Sequence, residues 1–212
     1  NRFTFKNNIN ADVVEQIPQE EIKTFMAEPP TDEEIARAMK LLKKDKTCGE
    51  DNILGEMIQC AGLEEESKML FSIIFETETV PTDFRDAIAI VVGKKGDTSY
   101  CDNNRSIFLL SVFGKFFAKI LNLRLAKFAE GTLSNGETIL PESQCGFRAG
   151  RGCSDMIFVS RLLLEKSIEF RVEVYKAFVD LTKAFDCVPR TVAWKVFRKI
   201  GMPDKFVRLL EG

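Results

Sequence analysis

Residues 174–186 read Val-Tyr-Lys-Ala-Phe-Val-Asp-Leu-Thr-Lys-Ala-Phe-Asp, an apolar run that ends in a carboxylate and is followed by an aromatic residue and a second carboxylate. Because side chains alternate along a strand, Lys176, Phe178 and Asp180 would share one face of an extended segment. Asp180 would then lie where a sheet opens onto solvent, in a position suited to a divalent cation and a triphosphate. The alternative is that Asp180 caps a following helix, because Asp is a favoured N-cap residue.

The composition of the 212-residue chain, 45% hydrophobic and 29% charged, is typical of a globular protein. No stretch approaches the roughly 18 apolar residues of a membrane-spanning helix, and the chain does not open with a signal peptide. The six cysteines are scattered without a close pair, and there is no histidine. We therefore expect free thiols in an intracellular protein, without a zinc site and without catalysis by imidazole.

Charge is unevenly distributed although the net charge is only −2. Residues 1–93 contain ten Lys and Arg against nineteen Asp and Glu, whereas residues 94–212 contain twenty against thirteen. This distribution predicts that a polyanion would be held by the second part, with a solvated surface of mixed charge as the alternative. The chain starts at Asn1 and stops at Gly212 directly after an amphipathic run, which favours a fragment of a longer protein.

Hydrophobic periodicity predicts a helix-rich chain with one hairpin. A capping-box pattern at Thr31 and Glu34 predicts a helix through about residue 42. Apolar spacing predicts further helices over about 53–61, 64–78, 112–129, 154–170 and 190–200. The packing residues expected on the second and third helices are Met57, Ile58, Met69, Leu70, Ile73 and Ile74. Two apolar runs, at about 87–92 and 107–110, predict an antiparallel hairpin with Lys94 and Lys95 near its tip.

Four sequence blocks, at 46–53, 94–110, 141–155 and 178–186, occur in an order that resembles the reverse transcriptase of non-long-terminal-repeat (LINE-type) retrotransposons. The likeness runs from about residue 29 to residue 210. The third and fourth blocks match the family's motifs throughout. In the first block Cys48 stands where the family has proline and Asn52 where it has glycine, which predicts an altered turn. In the second, Ser106 and Phe108 replace small residues, and the bulky Phe108 is expected to disturb packing.

The resemblance implies an α+β fold, the fingers and part of the palm of a right-hand polymerase. Residues 1–29 would be a lead-in segment, 30–170 the fingers region and 171–212 the start of the palm, all within one reverse transcriptase domain. The later Tyr-Ala-Asp-Asp motif, which supplies further catalytic aspartates in the family, does not occur in the 212 residues. We therefore expect an RNA-directed DNA polymerase fragment that is inactive alone.

Roles for individual residues also follow from the resemblance. Asp180 would be catalytic and, with the backbone carbonyl of Leu181, would bind Mg²⁺, of which two ions are expected in the complete domain. Lys94 or Lys95 would clamp the incoming triphosphate together with Arg105. Phe185 would pack beneath the sugar and disfavour a ribose. The alternatives are solvated lysines at a loop tip and a phenylalanine that packs in the core.

Template binding is implied for Gln144, Phe147 and Arg148, through backbone contacts, stacking and positive charge. The alternative is a loop that Phe147 holds in place. The expected partners are an RNA template, a DNA primer and deoxynucleoside triphosphates, with no membrane.

Three other functions remain to be weighed. The substitutions in the first two blocks are compatible with a degenerate element copy that has no catalytic role. A second possibility is an RNA-binding module that uses Arg105, Arg148 and Arg151. A Mg²⁺ phosphohydrolase built on Asp180 and Asp186 is disfavoured, because no general base or further ligand cluster lies near them in the sequence.

Overall fold

A computed structural model describes residues 14–93, 96–100, 103–181, 184 and 187–212. The chain is helix-rich with one antiparallel pair of strands, so the predicted α+β class is confirmed. After a 3₁₀ turn at Thr24–Ala27, the elements are α1 (Asp32–Lys40), α2 (Gly55–Ala61), α3 (Glu64–Thr77), α4 (Thr82–Arg85), β1 (Ala87–Gly93), β2 (Asn104–Leu110), α5 (Val112–Ala129), α6 (Cys153–Phe170), α7 (Arg190–Lys199) and α8 (Asp204–Glu211).

Helix α1 begins at the predicted capping box. The hydroxyl of Thr31 accepts a hydrogen bond from the backbone N–H of Glu34 at 3.3 Å, and the Glu34 carboxylate accepts one from the N–H of Thr31 at 3.0 Å. Asp32 and Glu33 add negative charge to the first turn, where the helix dipole favours it. The apolar spacing then buries Ile35, Ala38 and Met39.

The core is built around aromatic side chains of α3 and α5. The ring of Phe71 meets that of Phe116 edge-to-face at a centroid distance of 5.1 Å and lies 5.3 Å from that of Phe117. Phe75 lies 6.0 Å from Phe117 on the same side. The cluster also includes residues of the 3₁₀ turn, of α1, α2 and α8, and Met202. The last helix therefore packs with elements that lie far earlier in the chain.

Arg124 is a charged side chain inside this core, only 3% exposed. Its guanidinium binds both carboxylate oxygens of Glu34, at 2.7 and 2.6 Å. It also donates to the backbone carbonyls of Met26, Glu28 and Pro29, at 2.9, 2.6 and 3.3 Å. The planar fork of arginine suits this arrangement, which ties α5 to the segment that leads into α1.

The ion pair makes stability depend on pH. Burial raises the pKa of Glu34, but hydrogen bonds from Arg124 and from the Thr31 N–H outweigh it and hold the pKa below its ordinary value of 4.5. Because the pKa is lower in the folded state, the interaction stabilises the protein above about pH 4.5, the unfolded-state value, and is lost as the pH falls through the folded-state pKa.

We expect the Glu34→Gln variant to be less stable than the wild type in urea at pH 7, with the difference shrinking towards zero in acid. Glutamine can still accept from the Thr31 N–H through its amide oxygen, but its NH₂ group cannot accept from Arg124, so the substitution removes the charge together with one hydrogen bond to Arg124. Glu165→Gln, which removes an exposed carboxylate from α6, is the matched control and should show little effect at either pH. A difference between wild type and Glu34→Gln that grows on acidification would contradict this account.

Several apolar residues predicted to pack do not. Met57, Met69 and Ile73 are 54%, 69% and 50% exposed, whereas Ile58 and Ile74 are buried. Both helices carry apolar residues on more than one face, so spacing alone did not show which face meets the core. Helix α6 has the predicted extent, but none of its residues is buried.

The hairpin is antiparallel as predicted, with Ala87 opposite Leu110 and Gly93 opposite Asn104. Its second strand starts about three residues earlier than expected. Most side chains on both strands are exposed, and Phe108 itself is 62% exposed. The expectation that Phe108 disturbs packing is therefore wrong, because the ring lies on an open face of the hairpin.

The strand predicted to carry Asp180 is not formed. Residues 172–181 have no regular secondary structure, and every one of them is exposed. A strand requires a hydrogen-bonding neighbour, and in the described ranges β1 and β2 pair only with each other. The helix-cap alternative is also wrong for the described part of the chain, where the first helix after Asp180 begins at Arg190 with Pro189 before it.

The exit from α7 brings distant parts of the chain together. Gly201 ends the helix with φ +98°, and a Cβ there would collide with the Glu21 carbonyl oxygen. The N–H of Lys23 donates to the Gly201 carbonyl at 2.9 Å, and the N–H of Glu20 to that of Lys199 at 2.8 Å. Residues 20–23 are thereby bonded to 199–201.

Two further expectations concern cysteines and membranes. In the described ranges Cys48, Cys60, Cys145 and Cys153 are free thiols, as predicted. None of the described helices combines the length and the apolar character that crossing a bilayer requires.

Candidate nucleic-acid interface

The first and second sequence blocks are in contact. A Cβ on Gly49 would lie 2.8 Å from the Leu110 carbonyl carbon and 2.8 Å from the Ser111 nitrogen, so only glycine fits against this backbone. Ser111 in turn caps α5, its hydroxyl accepting from the Gly114 N–H at 3.0 Å. The first block therefore helps to position the start of α5.

Asn52 keeps the backbone conformation that glycine would allow at its place in the block. Its φ is +56°, in the left-handed region that Asn adopts more readily than most residues. Its amide donates to the Glu50 carbonyl at 3.2 Å, and the Cys48 sulfur lies 3.9 Å from its side-chain oxygen. The left-handed turn position is thus preserved despite the substitution.

The three predicted template residues lie on one loop, 141–151. Arg148 fixes this loop: its guanidinium binds both oxygens of the Glu130 carboxylate, at 3.0 and 2.6 Å, and donates to the carbonyls of Pro141 and Gln144, at 2.9 and 3.2 Å. Hydrogen bonding to Arg148 lowers the pKa of Glu130, and the same bond raises the pKa of Arg148. Arg148 thus anchors the loop to the end of α5, and its side chain is only 8% exposed.

Phe147 projects from the anchored loop. Its side chain is 97% exposed, and its backbone has φ +61°, a conformation that costs a bulky residue energy. Gln144 is also exposed, and its amide donates to the Gly146 carbonyl at 3.1 Å. The arrangement presents an aromatic face to solvent on a fixed loop, which suits stacking on an unpaired base. The sequence did not signal this backbone conformation.

Arg105 lies on β2 opposite Val92 and is exposed, and its side chain forms no hydrogen bond or ion pair with a described residue. Lys94, Lys95 and Phe185 fall outside the described residues. Arg151, the further arginine of the RNA-binding alternative, pairs with the Glu142 carboxylate.

Asp180 and Leu181 are exposed at the end of the irregular segment 172–181. Lys176 ties that segment to α6 by donating to the Ser160 hydroxyl at 2.5 Å. In the described ranges, no three His, Cys, Asp or Glu side chains come together to hold a metal ion. One carboxylate and one carbonyl are too few ligands for two Mg²⁺ ions, so these residues alone do not fit that site.

Comparison with known proteins gives two relatives. The chain is 29% identical over 197 residues, 92% of its length, to the "Transposon TX1 uncharacterized 149 kDa protein" of Xenopus laevis. It is 23% identical over 159 residues, 74% of its length, to the "Probable RNA-directed DNA polymerase from transposon BS" of Drosophila melanogaster. It spans only 14% and 17% of those two proteins.

No protein-family model matches the chain. The two relatives nevertheless confirm the resemblance that the four sequence blocks indicated. The chain is similar to two transposon proteins, one of which is named as a probable RNA-directed DNA polymerase.

Proposed function

We propose that this chain is the fingers and the first part of the palm of a retrotransposon RNA-directed DNA polymerase. The observation that carries the proposal is the similarity, over 74% of the chain, to a protein named as a probable RNA-directed DNA polymerase. The division into a lead-in at 1–29, fingers at 30–170 and palm from 171 belongs to the same proposal. The substrates would be an RNA template, a DNA primer and deoxynucleoside triphosphates.

The described residues support a division of labour within this proposal. Phe147 would stack on a template base, and Gln144 beside it would contact the strand. Arg148 would act by positioning Phe147, since its own donors are occupied by Glu130 and by loop carbonyls. Arg105, which has no carboxylate partner in the described ranges, would contact the triphosphate together with Lys94 or Lys95.

The remaining roles concern the reacting end of the primer. Asp180 and the carbonyl of Leu181 would be part of the Mg²⁺ ligand set in the complete domain, and Phe185 would select against ribose. Because the 212 residues contain no pair of consecutive aspartates, the rest of the ligand set has to come from another segment.

We expect the purified 212-residue chain to show no Mg²⁺-dependent nucleotide incorporation on a primed RNA template. A longer reading frame that includes this chain and a Tyr-Ala-Asp-Asp segment should show incorporation, and Asp180→Asn should reduce it to the level without enzyme. Asp83→Asn in the same protein is the control, since it removes an exposed carboxylate from α4 and should leave the rate unchanged. Incorporation by the 212 residues alone, or by the Asp180→Asn protein, would refute these roles.

A second candidate, an RNA-binding module without catalysis, is favoured by one observation. The described residues present an exposed Phe147 on an anchored loop but no group of metal ligands. RNA binding that weakens steeply with salt, together with a genomic frame that stops soon after Gly212, would support this candidate or a relic over a working polymerase.

A further inference from the structure

Four lysines converge on one groove, and Lys46 alone among them belongs to a sequence block. Lys43 and Lys46 come from the turn after α1, and Lys115 and Lys119 from the first half of α5. We call this feature the lysine groove. Lys115 and Lys119 lie on the same face of α5 because they are four residues apart. The turn packs closely against the start of α2. A Cβ on Gly55, the first residue of α2, would lie 3.3 Å from the Lys43 carbonyl oxygen.

The lysine groove has a surplus of positive charge. Its lining includes no acidic side chain, and none of its four lysines forms an ion pair with a described residue. Lys115 and Lys119 are half-buried. Cations that are partly withdrawn from water beside other cations are unfavourable unless an anion joins them. An ordinary solvated lysine face would be open and interspersed with carboxylates, as α6 is with Arg161 and Glu165.

The floor of the groove is apolar, formed by Leu41, Leu42, Leu109 and Val112. The volume is about 450 Å³, within the range of about 300–1,000 Å³ that is usual for small-molecule sites. An inorganic phosphate would fill little of this space and would leave the floor uncovered. A ligand that combines a flat apolar body with phosphates matches both the apolar floor and the four lysines around it.

We propose that the lysine groove binds an unpaired nucleotide of single-stranded RNA, its base against the apolar floor and its flanking phosphates on the four lysines. The charge and shape expected of the ligand follow from the groove itself, whereas the choice of RNA over an acidic peptide rests on the proposed function. The groove is distinct from the loop that carries Phe147. Lys119 and Glu130, where that loop is anchored, are separated by 11 positions of helix, about 17 Å at 1.5 Å per residue.

A strand that runs along α5 could therefore touch both places. At the roughly 3.4 Å per nucleotide of a stacked DNA strand, about five nucleotides reach 17 Å, and a more extended single strand of RNA needs fewer. A fluorescently labelled 12-nucleotide single-stranded RNA is long enough to span both contacts. Its affinity for the 212-residue chain can be measured by anisotropy at several KCl concentrations.

We expect Lys115→Gln/Lys119→Gln to weaken RNA binding and to reduce the slope of log Kobs against log[KCl] by about 1.4, since each phosphate contact on a single strand contributes about 0.7. Lys195→Gln/Lys205→Gln, which removes the same charge from α7 and α8, is the matched control and should change neither quantity as much. Leu41→Ser should lower the affinity several-fold with the slope unchanged, because it alters only the floor. Thermal melts of each variant establish that it is folded.

The outcomes separate the two proposals. If the wild type does not bind the RNA at all, both this inference and the proposed function are refuted. If the wild type binds but the two double variants lose affinity and slope equally, only the lysine groove is refuted. Competition by poly-glutamate as strong as that by unlabelled RNA would also overturn the assignment, because it would show a site for any polyanion.

Discussion

The Arg124→Ala protein is expected to lose about 3–5 kcal/mol of unfolding free energy, the range for removing one partner of a buried ion pair. The variant leaves the Glu34 carboxylate without its guanidinium and removes the donor to three backbone carbonyls before α1. It also removes a cation that lies 5.0 Å above the centre of the Phe75 ring. Since a domain is stable by only about 5–15 kcal/mol, most of the protein could unfold at 37 °C.

Urea denaturation followed by circular dichroism measures this loss. Arg161→Ala is the matched control, because its ion pair with Glu165 on α6 is exposed, at 79% and 60% of the two side chains, and is worth at most about 0.5 kcal/mol. Arg124→Lys should recover only part of the stability, since an ammonium cannot bind both carboxylate oxygens in the same plane. If Arg124→Ala and Arg161→Ala were equally stable, the buried arginine would not hold the fold together.

The second large effect is expected for Phe71→Ala, at about 3–5 kcal/mol of unfolding free energy. Phe71 is fully buried and is the residue that contacts both Phe116 and Phe117 of α5. Removing its ring would leave a cavity between α3 and α5 and would break two aromatic contacts. Because α5 carries Lys115 and Lys119, the same variant should also weaken RNA binding once it begins to unfold.

Thermal and urea denaturation measure the change. Phe158→Ala is the control for the loss of a phenylalanine from a helix, since Phe158 on α6 is 66% exposed, and it should stay within about 0.5 kcal/mol of the wild type. Equal destabilisation by the two substitutions would mean that α6 packs as tightly as α3, contrary to the exposure of its residues.

Local signals predicted the elements that depend on neighbours within a few positions. The helix predicted at 112–129 is Val112–Ala129, and the capping box at Thr31 starts α1 as expected. Such features follow from backbone hydrogen bonds over three or four residues, which the sequence displays directly. The hairpin pairs residues as far apart as Ala87 and Leu110 and was predictable instead from its two apolar runs.

Features that depend on distant partners were not predictable. Side chains in the segment 172–181 follow a strand-like pattern, but no strand lies beside it among the described residues. The pattern alone could not show whether a strand forms. Arg124 carried no signal in the sequence, because only the fold brings Glu34 and the carbonyls before α1 to it. The lysine groove likewise joins two segments, those of Lys46 and Lys115, that lie about 70 residues apart in the sequence.

The loop 141–151 was predictable in part. Its residues were selected through family likeness, yet their surroundings differ from one another in the structure. Arg148, expected to touch the template, is committed to Glu130, whereas Phe147 is the side chain that faces solvent. Its left-handed backbone is a property of the folded loop that residue types did not indicate.

The bonding of residues 20–23 to 199–201 has a consequence for synthesis on the ribosome. The amide of Gln19 donates to the Arg198 carbonyl across 179 positions, so this bond cannot form until the ribosome has added those residues. At about 5–20 residues per second, that wait lasts roughly 10–40 s. During this time the nascent chain holds Phe71, Phe116 and their neighbours without the cover of α8, and a chaperone that shields apolar surface would raise the yield of native protein.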